Sequence, residues 1–244
     1  MKTVVITGCN RGLGLALLKA FASEGHDIVS LNRTIGDDFD RLCLEVKQTC
    51  GVQIFPVHAD LSSKESLEKA VEEILRLDRP IDVLVNNAAL NICKPIFYMS
   101  YEEVENTFRT NYFAPFYLMR EIGAVMIRQG FGNIINISSV AAVSSEPGGA
   151  AYDASKSALN TLTRSAAQEM APFGVRVNAV ACSVVETEMF NSMKEDVKKK
   201  ILKKVALKRA ATFNEITDSV LYLASGKASF ITGQIIGIDG GYKV

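Results

Sequence analysis

Thr3-Val4-Val5-Ile6-Thr7-Gly8-Cys9-Asn10-Arg11-Gly12-Leu13-Gly14 joins a short apolar run to a glycine-rich turn and the start of a helical pattern. The run reads as a parallel strand covered on both faces. Glycines in the turn permit a tight bend and close approach of the backbone to a ligand. The helix that follows presents unpaired N–H groups suited to a pyrophosphate. The spacing is Gly-x-x-x-Gly-x-Gly, which differs from the common Gly-x-Gly-x-x-Gly dinucleotide fingerprint, and it lacks the Gly-Lys-Ser/Thr ending of a triphosphate-binding loop.

Outward from this stretch, β-branched runs alternate with longer helical patterns. Strands are expected at Thr3–Thr7, Asp27–Leu31, Val52–Val57, Asp82–Asn86, Asn133–Ser138, Val175–Val180 and Gln234–Ile238. Helices are expected at Gly12–Ser23, Asp38–Thr49, Lys64–Leu77, Glu102–Gln129, Ala151–Ala171 and Asn214–Ser225. That alternation predicts an α/β chain: a doubly wound, seven-stranded parallel sheet with helices on both faces. No Pro/Gly/Ser linker or repeat divides it, so a single domain over residues 1–244 is expected. Val184–Arg209 breaks the rhythm. It is rich in Met and Lys, contains no expected strand, and reads as a lid-like insertion (184–209) with a solvated lysine face.

Composition bounds the function. The 244 residues carry 27 basic and 27 acidic side chains, so there is no electrostatic case for nucleic acid or an anionic membrane. Five scattered cysteines without a Cys-x-x-Cys pair argue against a disulfide framework or a zinc site and fit a reducing compartment. The apolar run after Lys2 is too short for a signal peptide, and no stretch approaches the roughly 18 apolar residues of a membrane span. Cytoplasmic residence is the expectation.

Two places carry chemistry. The second strand ends in Leu31-Asn32-Arg33. A carboxylate there would favour the free ribose hydroxyl of NAD; a guanidinium suits the 2′-phosphate of NADP. Arg11 could reach the same phosphate, so NADP is expected. The alternative is that Arg33 is only a solvated strand end. Farther on, Tyr152 and Lys156 stand one helical turn apart, thirteen residues beyond Ser139. A cation beside a phenol lowers its pKa from about 10 and makes it a usable proton donor or acceptor. Taken alone, Tyr-x-x-x-Lys is common on helices.

In order and spacing, these motifs resemble the short-chain dehydrogenase/reductase family from Thr7 to Gly241. The elements are the glycine turn, Asp60, Asn86-Asn87-Ala88-Ala89, Asn111, Ser139, Tyr152, Lys156 and Asp239-Gly240-Gly241. The resemblance implies a Rossmann fold and an NADP(H)-dependent oxidoreductase moving hydride between nicotinamide and a ketone or secondary alcohol. Tyr152 would exchange the proton, and Lys156 would lower its pKa and hold ribose hydroxyls. Ser139 would stabilise the carbonyl oxygen, and Asn111 would hold a water leading to Lys156. Ser138 is adjacent, but the spacing to Tyr152 favours Ser139. Cofactor contacts are expected from Gly8, Asn10, Arg11, Gly12, Leu13, Gly14, Asn32, Arg33, Asp60, Leu61, Asn87, Ala88, Ala89, Val185 and Thr187, besides Tyr152 and Lys156. Thr187 also reads as an N-cap for a lid helix. The chain departs from the family in having Ala181-Cys182-Ser183 where Pro-Gly is usual. Cys182 thereby becomes a candidate thiol at the site, with a buried inert Cys as the alternative.

Overall the chain resembles 3-oxoacyl-acyl-carrier-protein reductases. Those enzymes dock the acidic carrier with two arginines, where this chain has Gly130 and Phe173. A free small ketone or alcohol is therefore the expected substrate. Its pocket would draw on Ser139, Asn91, Cys93, Ser145, Glu146, Pro147, Val184, Val185, Met189, Phe190 and Met193, with Glu146 suiting a cationic or polyhydroxylated group. A carrier-protein reductase and a non-catalytic NADP sensor are the competing readings. A homodimer or homotetramer formed through 102–129 and 151–171 is implied.

Overall fold

The computed structural model describes Lys2 to Lys243, with the side chains of Glu188 and Met189 outside the described residues. The strands are β1 Thr3–Thr7, β2 Asp27–Asn32, β3 Ile54–His58, β4 Val83–Asn86, β5 Gly132–Ser139, β6 Val175–Cys182 and β7 Ile235–Ile238. They form one sheet in the order β3-β2-β1-β4-β5-β6-β7, and every pairing is parallel. The helices are α1 Gly12–Ser23, α2 Asp37–Cys50, α3 Lys64–Arg76, α4 Tyr101–Phe108, α5 Ala114–Gln129, α6 Ala150–Met170, α7 Glu188–Asn191, α8 Glu195–Lys203 and α9 Phe213–Ala224.

The alternating faces of the strands build two cores. On one, Val4, Ile6, Val83 and Ile135 pack with Leu17 and Phe21 of α1 and Ile216 and Val220 of α9. On the other, Val5, Val29, Leu84 and Ile134 pack with Val71 of α3, Leu118 and Ile122 of α5 and Ala167 of α6. Because β1 and β4 are covered on both faces, their central residues run apolar without alternation. The strand order reverses between β1 and β4. A doubly wound sheet opens a crevice at that point, beyond the C-terminal ends of its strands.

One expectation needs correction. The single helix expected over Glu102–Gln129 is α4 and α5 joined by a π-turn at Arg109–Phe113. Pro115 has no N–H, so Asn111 loses its α-helical donor, and the ladder shifts: Ala114 N–H donates to the Arg109 carbonyl. The segment 184–209 contains no strand of the sheet, but it is pinned by two isolated bridges, Val185 to Ala211 and Val205 to Tyr242. Its lysine run forms α8, where Lys199, Lys200 and Lys203 are exposed while Lys198 is half-buried over the Phe190 ring. Among the described residues, no helix is long and apolar enough to cross a membrane.

Candidate active site

The glycine turn is built around Thr7 and Asn87. The Thr7 hydroxyl accepts from the Asn87 and Ala88 N–H groups at 3.0 and 2.9 Å. The Asn87 amide donates back to the Thr7 carbonyl at 2.9 Å. Gly8 has φ +74°, and a Cβ on Gly14 would lie 1.9 Å from the Gly8 carbonyl oxygen. The turn therefore closes to a width that only glycine permits at position 14. Arg11 precedes α1 with no side-chain cap, and the first turn carries no acidic residue. The helix N-terminus stays open and electropositive, as an anionic pyrophosphate requires.

Asn32 connects this turn to the end of β2. Its Oδ1 accepts from Cys9 N–H at 2.7 Å. Its Nδ2 is buried without a partner among the described residues, a donor left for something else. Arg33 and Arg11 are exposed beside it. Asn10 donates to the Thr34 carbonyl at 2.6 Å and so fixes the turn rather than presenting a free amide. The Asp60 carboxylate accepts from the Ser62 hydroxyl and N–H, which hold it below the usual carboxylate range, with help from Arg33 and His58. Leu61 is half-buried next to it, and Ala89 is exposed at the end of the Asn87 turn. An orphaned buried donor, a cradle that a Cβ would fill and an uncapped helix start all fit a dinucleotide.

At the ends of β5 and β6, the two serines separate. Ser138 donates to Asn160 Oδ1 at 2.7 Å inside the core, while the Ser139 hydroxyl accepts from Ala141 N–H at 3.1 Å at the strand's end. Register places Cys182 directly beside Ser139. The Lys156 ammonium lies 5.7 Å from the Tyr152 ring centre, almost fully buried, and donates to the Ile137 carbonyl at 2.7 Å. Burial pulls its pKa down to about 8. The expectation that Lys156 lowers the Tyr152 pKa is corrected. Burial raises the phenol, and the Ser139 hydroxyl partly offsets that rise. Both groups are desolvated, which shifts each toward its neutral form, though Lys156 stays a cation below about pH 8. The Cys182 thiol is pushed up to about 12 by burial, so it is an inert neighbour and no nucleophile.

Asn111 is fully buried in the π-turn. Its Nδ2 donates to the Leu90 carbonyl and the Ser155 hydroxyl, both at 2.9 Å, and its Oδ1 accepts from Leu90 N–H at 2.8 Å. Both amide donors are thus spent on clamping the 87–90 turn to α6. A further polar ladder runs beneath the site. Asn86 donates to Asn136 at 2.8 Å, and Asn136 to Thr163 at 2.9 Å. Sequence reasoning passed over Asn136, Ser155 and Thr163. The signal was there in Asn136, an amide inside the otherwise apolar run Ile134–Ile137.

The expected substrate residues divide. Ser145, Glu146 and Pro147 line a groove of about 660 Å³ with Ile96, Phe97 and Asp153. Neither Ser139 nor Tyr152 lines it, so it flanks the Ser139–Tyr152–Lys156 cluster. Asn91 and Cys93 are exposed, and a Cβ on Gly148 would stand 3.0 Å from Cys93 Sγ. Glu146 is not free: its carboxylate pairs with Lys204. The Thr187 hydroxyl accepts from Phe190 N–H at 3.2 Å and caps α7. Val184, Val185 and Met193 are half-buried, Phe190 is buried, and the Met189 side chain lies outside the described residues. Among the described residues, no cluster of three metal-ligating side chains occurs.

Residues 8–243 match the family model described as enoyl-(acyl carrier protein) reductase. The chain is 36% identical over 240 residues to a 3-oxoacyl-[acyl-carrier-protein] reductase of Aquifex aeolicus, covering 98% of this chain and 96% of that protein. Its fold matches a Beutenbergia cavernae protein, assigned as an NAD(P)-dependent gluconate 5-dehydrogenase and holding NADP at low occupancy, with TM-score 0.91, 33% identity and coverage of 98% and 96%. A 3-oxoacyl-[acyl-carrier protein] reductase of Brucella melitensis with bound NAD gives TM-score 0.90 at 27% identity, covering 100% and 91%.

Proposed function

This chain belongs to the short-chain dehydrogenase/reductase family of oxidoreductases, and we propose that it is an NADP(H)-dependent enzyme interconverting a small ketone and its secondary alcohol. The observation that carries this reading is the meeting of Ser139, Tyr152 and Lys156 at the strand ends that also carry the glycine turn. Gly8 to Gly14, Asn32 and Arg33 would hold the dinucleotide, with Lys156 reaching its ribose. When bound, the nicotinamide supplies the hydride or accepts it.

The chain's own residues manage the proton. The phenol of Tyr152, kept protonated by burial, donates to the carbonyl oxygen as that oxygen gains charge, and accepts the proton back in the alcohol direction. The Ser139 hydroxyl donates to the same oxygen and lowers the cost of the developing charge. Lys156 does its work as the ammonium, 5.7 Å from the Tyr152 ring centre, where its charge would hold the ribose hydroxyls. Its lowered pKa gives the pH dependence a sign: the cation is present below about 8 and lost above it. Reduction is therefore expected to fall with a single ionisation near that pH. A pH–rate profile of kcat/KM measures it, and a flat profile through that region contradicts the role.

NADP is preferred over NAD because the end of β2 offers Arg33, with Arg11 beside it, and no carboxylate. Arg33→Ala is expected to weaken NADPH binding roughly tenfold or more while leaving NADH unchanged, since a charge-assisted phosphate contact is lost. Titration of both cofactors by calorimetry checks this. Equal losses for the two would refute it.

A second reading, reduction of a 3-oxoacyl group on a carrier protein, is favoured by the Aquifex aeolicus relative. Against it stand Gly130 at the C-cap of α5 and Phe173, half-exposed, where docking arginines are expected. Comparing acetoacetyl-carrier protein with its free thioester decides between them; a strong preference for the carrier form selects the second. Dimers or tetramers belong to the same proposal, supported by the outward-facing Phe113 and Phe116 of the π-turn and α5.

A further inference from the structure

The loop between β5 and α6 meets the lid segment at one place. The Glu146 carboxylate hydrogen-bonds the Lys204 ammonium, although the two residues stand 58 apart in sequence. Each is anchored behind its side chain. The Glu146 carbonyl accepts from Gly149 N–H at 3.0 Å, and Asp153 N–H donates to the Gly149 carbonyl at 2.8 Å. Glu146 N–H reaches the Asp153 carboxylate at 3.4 Å. Glu146 is therefore fastened to the first turn of α6, the helix that carries Tyr152 and Lys156. On the other side, Lys204 follows the last residue of α8. Its carbonyl accepts from Lys243 N–H at 2.8 Å, and Val205 bridges Tyr242. The Tyr242 phenol stands within reach of both charged groups.

We propose that Glu146 and Lys204, backed by Tyr242, form a clasp that holds the lid segment against the N-terminus of the catalytic helix and so sets access to the site. The functional half of this proposal rests on the oxidoreductase reading; the mechanical half does not. Among the described residues of this segment, α7 and α8 are short, no residue of α8 is buried, Phe190 is buried, and the bridges at Val185 and Val205 hold the ends. A segment of that kind opens locally at low cost. The Glu146–Lys204 ion pair reinforces the C-terminal one of those ends and so shifts the open population. Glu146 and Lys204 are positioning residues: they act on the reaction through the lid and through α6.

Side chains of both residues are roughly half exposed, at 49% and 44%, so the clasp is screened by salt and its strength is that of a surface pair. Breaking it is expected to speed opening about two- to fivefold.

Hydrogen exchange on the full chain tests the clasp without any substrate. Glu146→Gln and Lys204→Met should each accelerate exchange across 190–204 by that factor and leave the sheet unaffected. The charge-swapped pair Glu146→Lys with Lys204→Glu should restore slow exchange. High salt should bring the wild type to the rate of the single variants and leave those variants unchanged. In turnover, the single variants should alter KM for the ketone more than kcat, and the swapped pair should return it. Unchanged exchange in 190–204 overturns the clasp, and so does acceleration spread evenly over the whole chain. If no ketone is reduced by any form, the oxidoreductase reading falls, while the exchange data still decide the clasp.

Discussion

Tyr152→Phe is expected to reduce turnover by about 10²- to 10⁴-fold, the range set by loss of a positioned general acid. The change removes one oxygen and keeps the ring, which packs 5.7 Å from the Lys156 ammonium. Nothing else at the ends of β5 and β6 can replace the donor. The Cys182 thiol is held neutral up to about 12, and its S–H is a weak donor. Ser139 offers a hydroxyl whose proton no neighbouring base can restore. Lys156 donates one of its N–H groups to the Ile137 carbonyl and would hold the ribose with the others. The loss should therefore fall on kcat, and the rise in melting temperature caused by NADPH should match that of the wild type. If the variant also lost that rise, Tyr152 would be acting on cofactor binding, and the assignment of the proton to it would fail.

Gly14→Ala is the second large effect. Its φ is ordinary, so backbone strain is not the cause; the cause is contact. The added Cβ would meet the Gly8 carbonyl oxygen at 1.9 Å and the Asn87 amide nitrogen at 2.6 Å. Neither is a flexible side-chain tip, because Asn87 is itself tied to the Thr7 carbonyl. The turn must widen and drag β4 with it. Overpacking of this kind costs about 1–3 kcal/mol, and at this chain length each kcal/mol lowers the melting temperature by about 2–4 °C. Thermal melts are expected to show a fall of several degrees, with the stabilisation by NADPH abolished. A variant that melts like the wild type and still gains stability from NADPH would contradict the account of the turn.

How much of this was legible in sequence follows from the range of the interactions. β1 and α1 lie where periodicity and the glycine turn put them, because their signals are local. The break at Asn111 was also local: Pro115 stands in the sequence, and its missing N–H opens the ladder four residues earlier. A helix unbroken from Glu102 to Gln129 would leave the Asn111 carbonyl without a donor at Pro115. The residue types of the site were legible as well, since Ser139, Tyr152 and Lys156 keep fixed spacings. Their partners were not. Lys156 binds a carbonyl 19 residues away, Asn111 a turn 21 away, and Glu146 an ammonium 58 away. Only the fold brings those together. The lowered Tyr152 pKa failed for the same reason: spacing reveals that a cation is near, but the burial that dominates belongs to the packed chain.

In the proposed reaction, hydride passes to a carbonyl carbon and the proton comes from Tyr152. The direct measurement is isotopic. Wild-type protein and Tyr152→Phe are incubated with NADPH carrying deuterium at both nicotinamide C4 positions and a panel of small ketones and free 3-oxoacyl thioesters, and the alcohols are analysed by mass spectrometry. The account predicts deuterium on the carbinol carbon with the wild type and almost none formed by Tyr152→Phe. Alcohol lacking the label, or the same labelled yield from both proteins, would contradict it.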